Sequence, residues 1–185
     1  MQSFNSFASD WRRPVWMLLL VGASVAFSFG LACAMPFAAI CAVVACTLPR
    51  RDAFYVAGAA WLTNQAIGFG FLHYPWTANC LGWGIAIGLS ALLCTLVAQW
   101  VSHRLLHWHP LMGCVVAYGT AFAVFEAALA VSAVMLGGLE SFTPRILAGI
   151  FGINTLAWVV FLALSWVGAT VRFAPSSLSL ARMTR

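Results

Sequence analysis

A cysteine at the start of a helix has different chemistry from one in its middle. Cys80 falls in the run N-Q-A-I-G-F-G-F-L-H-Y-P-W-T-A-N-C-L-G-W-G, residues 64–84, where two long apolar stretches meet at a short polar loop. Pro75 breaks any helix continuing from the first stretch. Asn79 is a candidate N-cap for the next helix, with Thr77 as the alternative. Cys80 then lies in the first helical turn, where the helix dipole favours a thiolate. A soft sulfur donor suits a soft or borderline metal centre better than an oxygen-loving ion. His73 could add a proton acceptor or a positive charge. Tyr74, Trp76 and Trp83 offer aromatic surface to a ligand, and Asn64, Asn79 and Asn154 offer amides. The competing reading is an inert cysteine that happens to begin a helix, since most cysteines in apolar surroundings act as small hydrophobes.

Other polar groups lie deep in apolar sequence. Asn64, Gln65, Glu126 and Asn154 all fall at membrane depth, where an ionisable residue is by default a functional candidate. No arginine is placed to pair with Glu126. The expectation is a protonated or amide-bonded carboxyl acting as a clamp between helices; the sharper reading makes it part of a ligand cavity or a proton path. His103, His107 and His109 flank Arg104 near a helix end. They read as solvated interfacial residues, because a bis-histidine haem needs histidines on facing helices within the bilayer. Cys33, Cys41, Cys46, Cys94 and Cys114 lie inside apolar runs. No C-x-x-C occurs, which removes zinc and thioredoxin-type chemistry. No phosphate-binding loop occurs either, so the chain cannot hydrolyse ATP itself.

The elements that must position these groups follow from composition. The chain has 185 residues, 63% hydrophobic and 7% charged. Soluble domains carry roughly 25% charged residues, so this is an integral membrane protein embedded in a lipid bilayer. Nine arginines, no lysine and four acids give a net charge of +5, too scattered for nucleic acid. A crossing helix needs ~20 apolar residues. Helices are predicted near 14–33, 35–49, 53–72, 80–102, 110–137 and 143–171, in a single domain over 1–185. The first run follows Arg12 and Arg13 and continues into more membrane-length sequence, so it reads as a retained helix rather than a signal peptide. The second is short and begins around Pro36; fusing it to the first would make one segment too long for an ordinary span. With six helices and a cytoplasmic N-terminus, eight of the nine arginines fall inside and only Arg145 outside. That is a strong positive-inside pattern. Both termini are therefore expected in the cytoplasm, with the loop 73–79 and Cys80 facing outward. Helix 1 carries Gly22, Ala26, Gly30 and Ala34 at a spacing of four, a smooth face for close packing against another helix.

Six helices in this length resemble the substrate-binding S-components of energy-coupling factor (ECF) transporters. The match covers about residues 14–171. The run N-Q-A-I-G-F-G…Y-P…N-C-L-G-W-G, with Cys80 in it, is similar to the BtuM family, small solitary cobalamin-specific relatives of the S-components in the inner membrane of Gram-negative bacteria. This specific match rests on residues 64–84. The resemblance implies an all-α bundle of six transmembrane helices that binds cobalamin in a cavity capped by the outward loops. Cys80 would match the cysteine that ligates cobalt from the lower axial side, with the nucleotide base displaced. Such a thiolate would also assist removal of an upper cyano ligand. The small-residue face of helix 1 resembles the A-x-x-x-A surface that S-components present to a membrane scaffold with its ATPases, although two of its four residues here are glycine. A solitary relative would act without that scaffold.

The residues suit the ligand. Cobalamin is large and amphipathic, with a flat corrin face and amide arms for aromatic rings and amide side chains to meet. The leading expectation is a cobalamin uptake protein. Its alternatives are a membrane enzyme that mainly decyanates cobalamin, a haem- or quinone-binding redox subunit, and an S-component for another vitamin.

Overall fold

The computed structural model describes residues 11–30, 36–105 and 110–170. They form α1 (Arg12–Gly30), α2 (Phe37–Thr47), α3 (Arg50–Gly70), α4 (Ala78–Leu105), α5 (Pro110–Leu136) and α6 (Pro144–Thr170), with a 3₁₀ turn at Leu139–Ser141. The architecture is all-helical. α4, α5 and α6 are long and apolar enough to cross a membrane. Cys33, Ala34, His107, His109, Arg172, Arg182 and Arg185 lie outside the described residues.

α2 departs from the expectation of a sixth membrane-length helix. It has 11 residues, about 16 Å at 1.5 Å per residue, against a hydrocarbon core of about 30 Å. Every one of those residues is buried. The reason is in the sequence FAAICAVVACT, which is apolar on all sides and built largely from alanine, cysteine and valine. A helix with no polar face buries all of its surface. α2 is the central pillar of the bundle, packed against α3, α4, α5 and α6.

The helix directions follow from long-range contacts. Arg13 at the start of α1 forms an ion pair with the buried Asp52 in the first turn of α3. α2 ends three residues before α3 begins, so α1 leaves this end of the bundle and α2 returns to it. Ser102 near the end of α4 hydrogen-bonds the carbonyl of Ala45 at 3.4 Å, which brings Arg104 to the same end. Arg12, Arg50, Arg51 and Arg104 lie over the rings of Trp11, Phe54, Tyr55 and Trp100. Arginine above aromatic rings marks a region where apolar surface meets water. Arg145, in the first turn of α6, is at the opposite end with Cys80.

Close packing between α3 and α4 depends on glycine. A Cβ on Gly88 would meet the Trp61 ring at 2.6 Å, and one on Gly84 would meet Oε1 of Gln65 at 2.6 Å. Trp61 Nε1 donates to the carbonyl of Gly84 at 2.8 Å. This G-x-x-x-G face on α4 is the small-residue contact used within the chain. The face expected on α1 is turned away. Trp16, Leu20 and Ser24 are its buried side, while Gly22 and Ala26 are exposed.

Candidate functional site

The shortness of α2 makes the site. Its N-terminal turn stops at mid-depth in the bundle, and the longer helices continue past it. Above Phe37 they enclose a cavity of about 340 Å³. α3 supplies Asn64, Gln65 and Phe69, and the following loop supplies Tyr74. α4 supplies Cys80, Trp83, Gly84 and Ile87. α5 adds Phe125, Glu126 and Leu129, and the segment from Ser141 to Asn154 closes the remaining side. The wall is mainly apolar and aromatic with a few polar groups, the usual character of a small-molecule site.

Local chemistry fixes the mouth. Thr77 Oγ1 accepts the N–H of Cys80 at 3.3 Å, so Thr77 is the N-cap of α4. Asn79, the first choice from sequence, does something else. Its side-chain amide donates to the carbonyl of Leu136 at 2.7 Å, satisfying an acceptor at the C-terminus of α5. Gly137 and Gly138, at φ of 84° and 104°, turn the chain there, a conformation glycine adopts without a Cβ clash. Thr143 caps α6 as Thr77 caps α4, accepting the N–H of Ile146 at 3.4 Å. Cys80 thus stands in the first turn of α4, half-buried, on the cavity wall.

Of the residues singled out from sequence, Cys80, Tyr74, Trp83 and Asn64 line the cavity, and His73, Trp76 and Asn79 do not. His73 has φ of 53°. It takes the left-handed turn after α3, exposed, and sends the chain back so that the N–H of Tyr74 reaches the carbonyl of Gly68 at 3.0 Å. Gly68 is required there, since a Cβ would meet the Tyr74 ring at 2.7 Å. Trp76 is 74% exposed and packs on Phe69 with ring centroids 4.6 Å apart. It covers the outside of a residue whose other face lines the cavity.

The polar residues at membrane depth divide differently from expectation. Glu126 is in the cavity wall and makes no hydrogen bond or ion pair to another described residue, so the expected clamp is absent. Asn154 is the clamp. Its Oδ1 accepts the N–H of Ala39 at 3.2 Å, and its amide donates to the carbonyl of Ile150 at 3.0 Å. Sequence reasoning missed the floor residue Phe37, the Phe125–Leu129 face and Phe142. Nothing in an unbroken apolar run marks which side faces a cavity.

The remaining described cysteines are buried and distant from solvent. The thiols of Cys41 and Cys94 both donate to the carbonyl of Ala91, at 3.4 and 3.2 Å. The Cys41 bond joins α2 to α4, whereas the Cys94 bond lies within α4. Among the described residues no group of three or more histidine, cysteine or acidic side chains is placed to hold a metal ion.

Together these features define a class: a membrane-spanning helical protein with a half-length central helix and a thiol-bearing cavity at one end. No family model matches the chain, and no curated protein or solved structure is similar to it.

Proposed function

We propose that the chain is a cobalamin uptake protein of the bacterial inner membrane, with Cys80 as an axial ligand to cobalt. The observation that carries this reading is a single thiol at the wall of an apolar cavity, with no histidine and no second cysteine in that wall and Glu126 as its one carboxyl group. One donor cannot build a site for a bare ion, which needs several ligands. It is sufficient for a metal that arrives with its equatorial ligands already in place, as cobalt does in a corrin. Coordination to the metal deprotonates the thiol. The similarity of residues 64–84 to the BtuM run points to the same ligand.

The cavity lies at the small end of the roughly 300–1,000 Å³ range of ligand sites. A corrinoid seats part of one face in it, against Trp83 and Tyr74, while the rest stands at the mouth. Loop 71–77 and the segment 137–143 frame that mouth and move outward to admit the ring. In this reading the bundle is S-component-like, with six helices of which α2 is half-length and with both termini cytoplasmic, so the Cys80 end faces outward. The exposed Gly22 and Ala26 face of α1 is available to an ECF-type scaffold with its ATPases. A solitary protein would instead depend on trapping of the substrate inside.

Sulfur donation on one side of cobalt weakens the bond to an upper cyanide. Reductive loss takes one electron per cobalt(III): cyanide leaves with its bonding pair and is protonated, while two molecules of an external thiol form one disulfide and reduce two cobalt(III) centres to cobalt(II). The test is the visible spectrum of purified protein with cobalamin. A sulfur-dependent change is expected in wild type and lost in Cys80→Ala, and an unchanged spectrum in Cys80→Ala removes the central claim. Chromatography of the corrinoid extracted after incubation with cyanocobalamin separates transport from processing. Equal cyanide loss in wild type and Cys80→Ser would leave Cys80 as a binding contact only.

A further inference from the structure

Three polar side chains in the cavity wall have hydrogen-bonding capacity that no other described residue uses. Asn64 and Gln65 on α3 and Glu126 on α5 all line the cavity, and none bonds to another described residue. Nearby amides behave otherwise. Asn154 engages both of its amide atoms within the protein, and Asn79 is held by Leu136. Asn64, Gln65 and Glu126 are all half-buried, and polar groups lining an apolar cavity are the ones available to orient a ligand. Gly84 leaves room for the Gln65 Oε1, where a Cβ would come within 2.6 Å.

The charge of the wall narrows the ligand. No arginine or histidine is among the lining residues, and Glu126 is their one carboxylic acid. We propose that Asn64, Gln65 and Glu126 form a recognition belt for neutral carboxamide groups, with Glu126 setting specificity against carboxylates. A primary amide suits all three partners. Its NH₂ donates to a carboxyl or amide oxygen, and its carbonyl accepts from Asn64 or Gln65. A carboxylate in the same place can only accept. It brings negative charge into an apolar wall with no cation to pair it, beside a carboxyl group. The inference rests on the corrinoid reading and deepens it, because a corrin carries its amides as neutral side arms.

The experiment compares ligands on the purified full-length protein, followed by spectral titration. The probes are cobalamin and the isomeric monocarboxylates made by hydrolysing single amide arms. Wild type binds at least one monocarboxylate about tenfold or more weaker than cobalamin, because a site that hydrogen-bonds a polar group rejects the analogue lacking its donor. Glu126→Gln, nearly isosteric, narrows that ratio severalfold. Asn64→Leu and Gln65→Leu weaken cobalamin itself about five- to tenfold each, with Asn64→Gln restoring part of the loss. Equal affinity of wild type for cobalamin and every monocarboxylate overturns this inference alone. So does an unchanged ratio in Glu126→Gln. Binding of no corrinoid by folded wild type overturns the functional reading and this inference with it. The wild-type comparison holds even if a leucine variant fails to fold.

Discussion

The side-chain oxygen of Asn154 accepts the backbone N–H of Ala39 at 3.2 Å, joining α6 to the first turn of α2. Helix N-termini leave donors without intrahelical partners, and this one ends inside the bundle rather than in water. Asn154 is 5% exposed, so its contact is a buried cap supplied from a distant helix. Asn154→Leu should lower stability by about 1–3 kcal/mol, the cost of a buried donor left unpaired. Asn154→Asp should retain the acceptor. Thermal unfolding in detergent, monitored by helical circular dichroism, reads both. Equal midpoints for the wild type and Asn154→Leu would show that the cap contributes nothing.

Cysteine reactivity follows from placement. Cys80 lines the cavity, whereas Cys41, Cys46, Cys94 and Cys114 are buried in the core. In a Cys33→Ala background, a water-soluble maleimide should modify Cys80 and spare the other four. Bound cobalamin should slow that modification. Mass spectrometry of labelled peptides gives the pattern. Labelling of Cys80 that is indifferent to saturating cobalamin would place the ligand elsewhere.

Glycine positions separate packing from mere composition. Gly88→Ala places a methyl group 2.6 Å from the Trp61 ring, whereas Gly119→Ala meets nothing within 4 Å. The first should destabilise by about 1–3 kcal/mol through overpacking. The second should be neutral or stabilise by about 0.5–1 kcal/mol, as expected for alanine over glycine in a helix. Detergent melting curves distinguish them, and the reverse order would contradict the α3–α4 contact.

The two ends of the bundle should face opposite sides of the membrane. Arg51 belongs to the arginine-rich end and Trp76 to the Cys80 end. With Cys80 replaced by alanine, Arg51→Cys and Trp76→Cys should react from opposite sides of sealed, oriented vesicles with an impermeant thiol reagent. Under the positive-inside pattern, Trp76→Cys is the outward one. Reaction of both from the same side would overturn the arrangement.

Much of the fold was legible because its signals are local. Apolar run length and proline placement marked six helices close to their observed limits, and the polarity of loop 73–79 marked Cys80 as a helix-start residue. Those signals act over a few residues, so they survive without knowledge of the partners. Tertiary structure decided the rest. Thr77 rather than Asn79 caps α4, because the carbonyl of Leu136, 57 residues away, takes the Asn79 amide. His73 and Trp76 stand outside the cavity, because a left-handed turn and the Phe69 ring direct them there. Glu126 is a wall residue and Asn154 a clamp, although both looked alike as polar residues in apolar sequence. The cavity itself depends on the 11 residues of α2 ending at mid-depth among longer helices. A void between helices belongs to no single segment: it is set by the relative lengths and depths of packed neighbours, which periodicity along one chain does not encode.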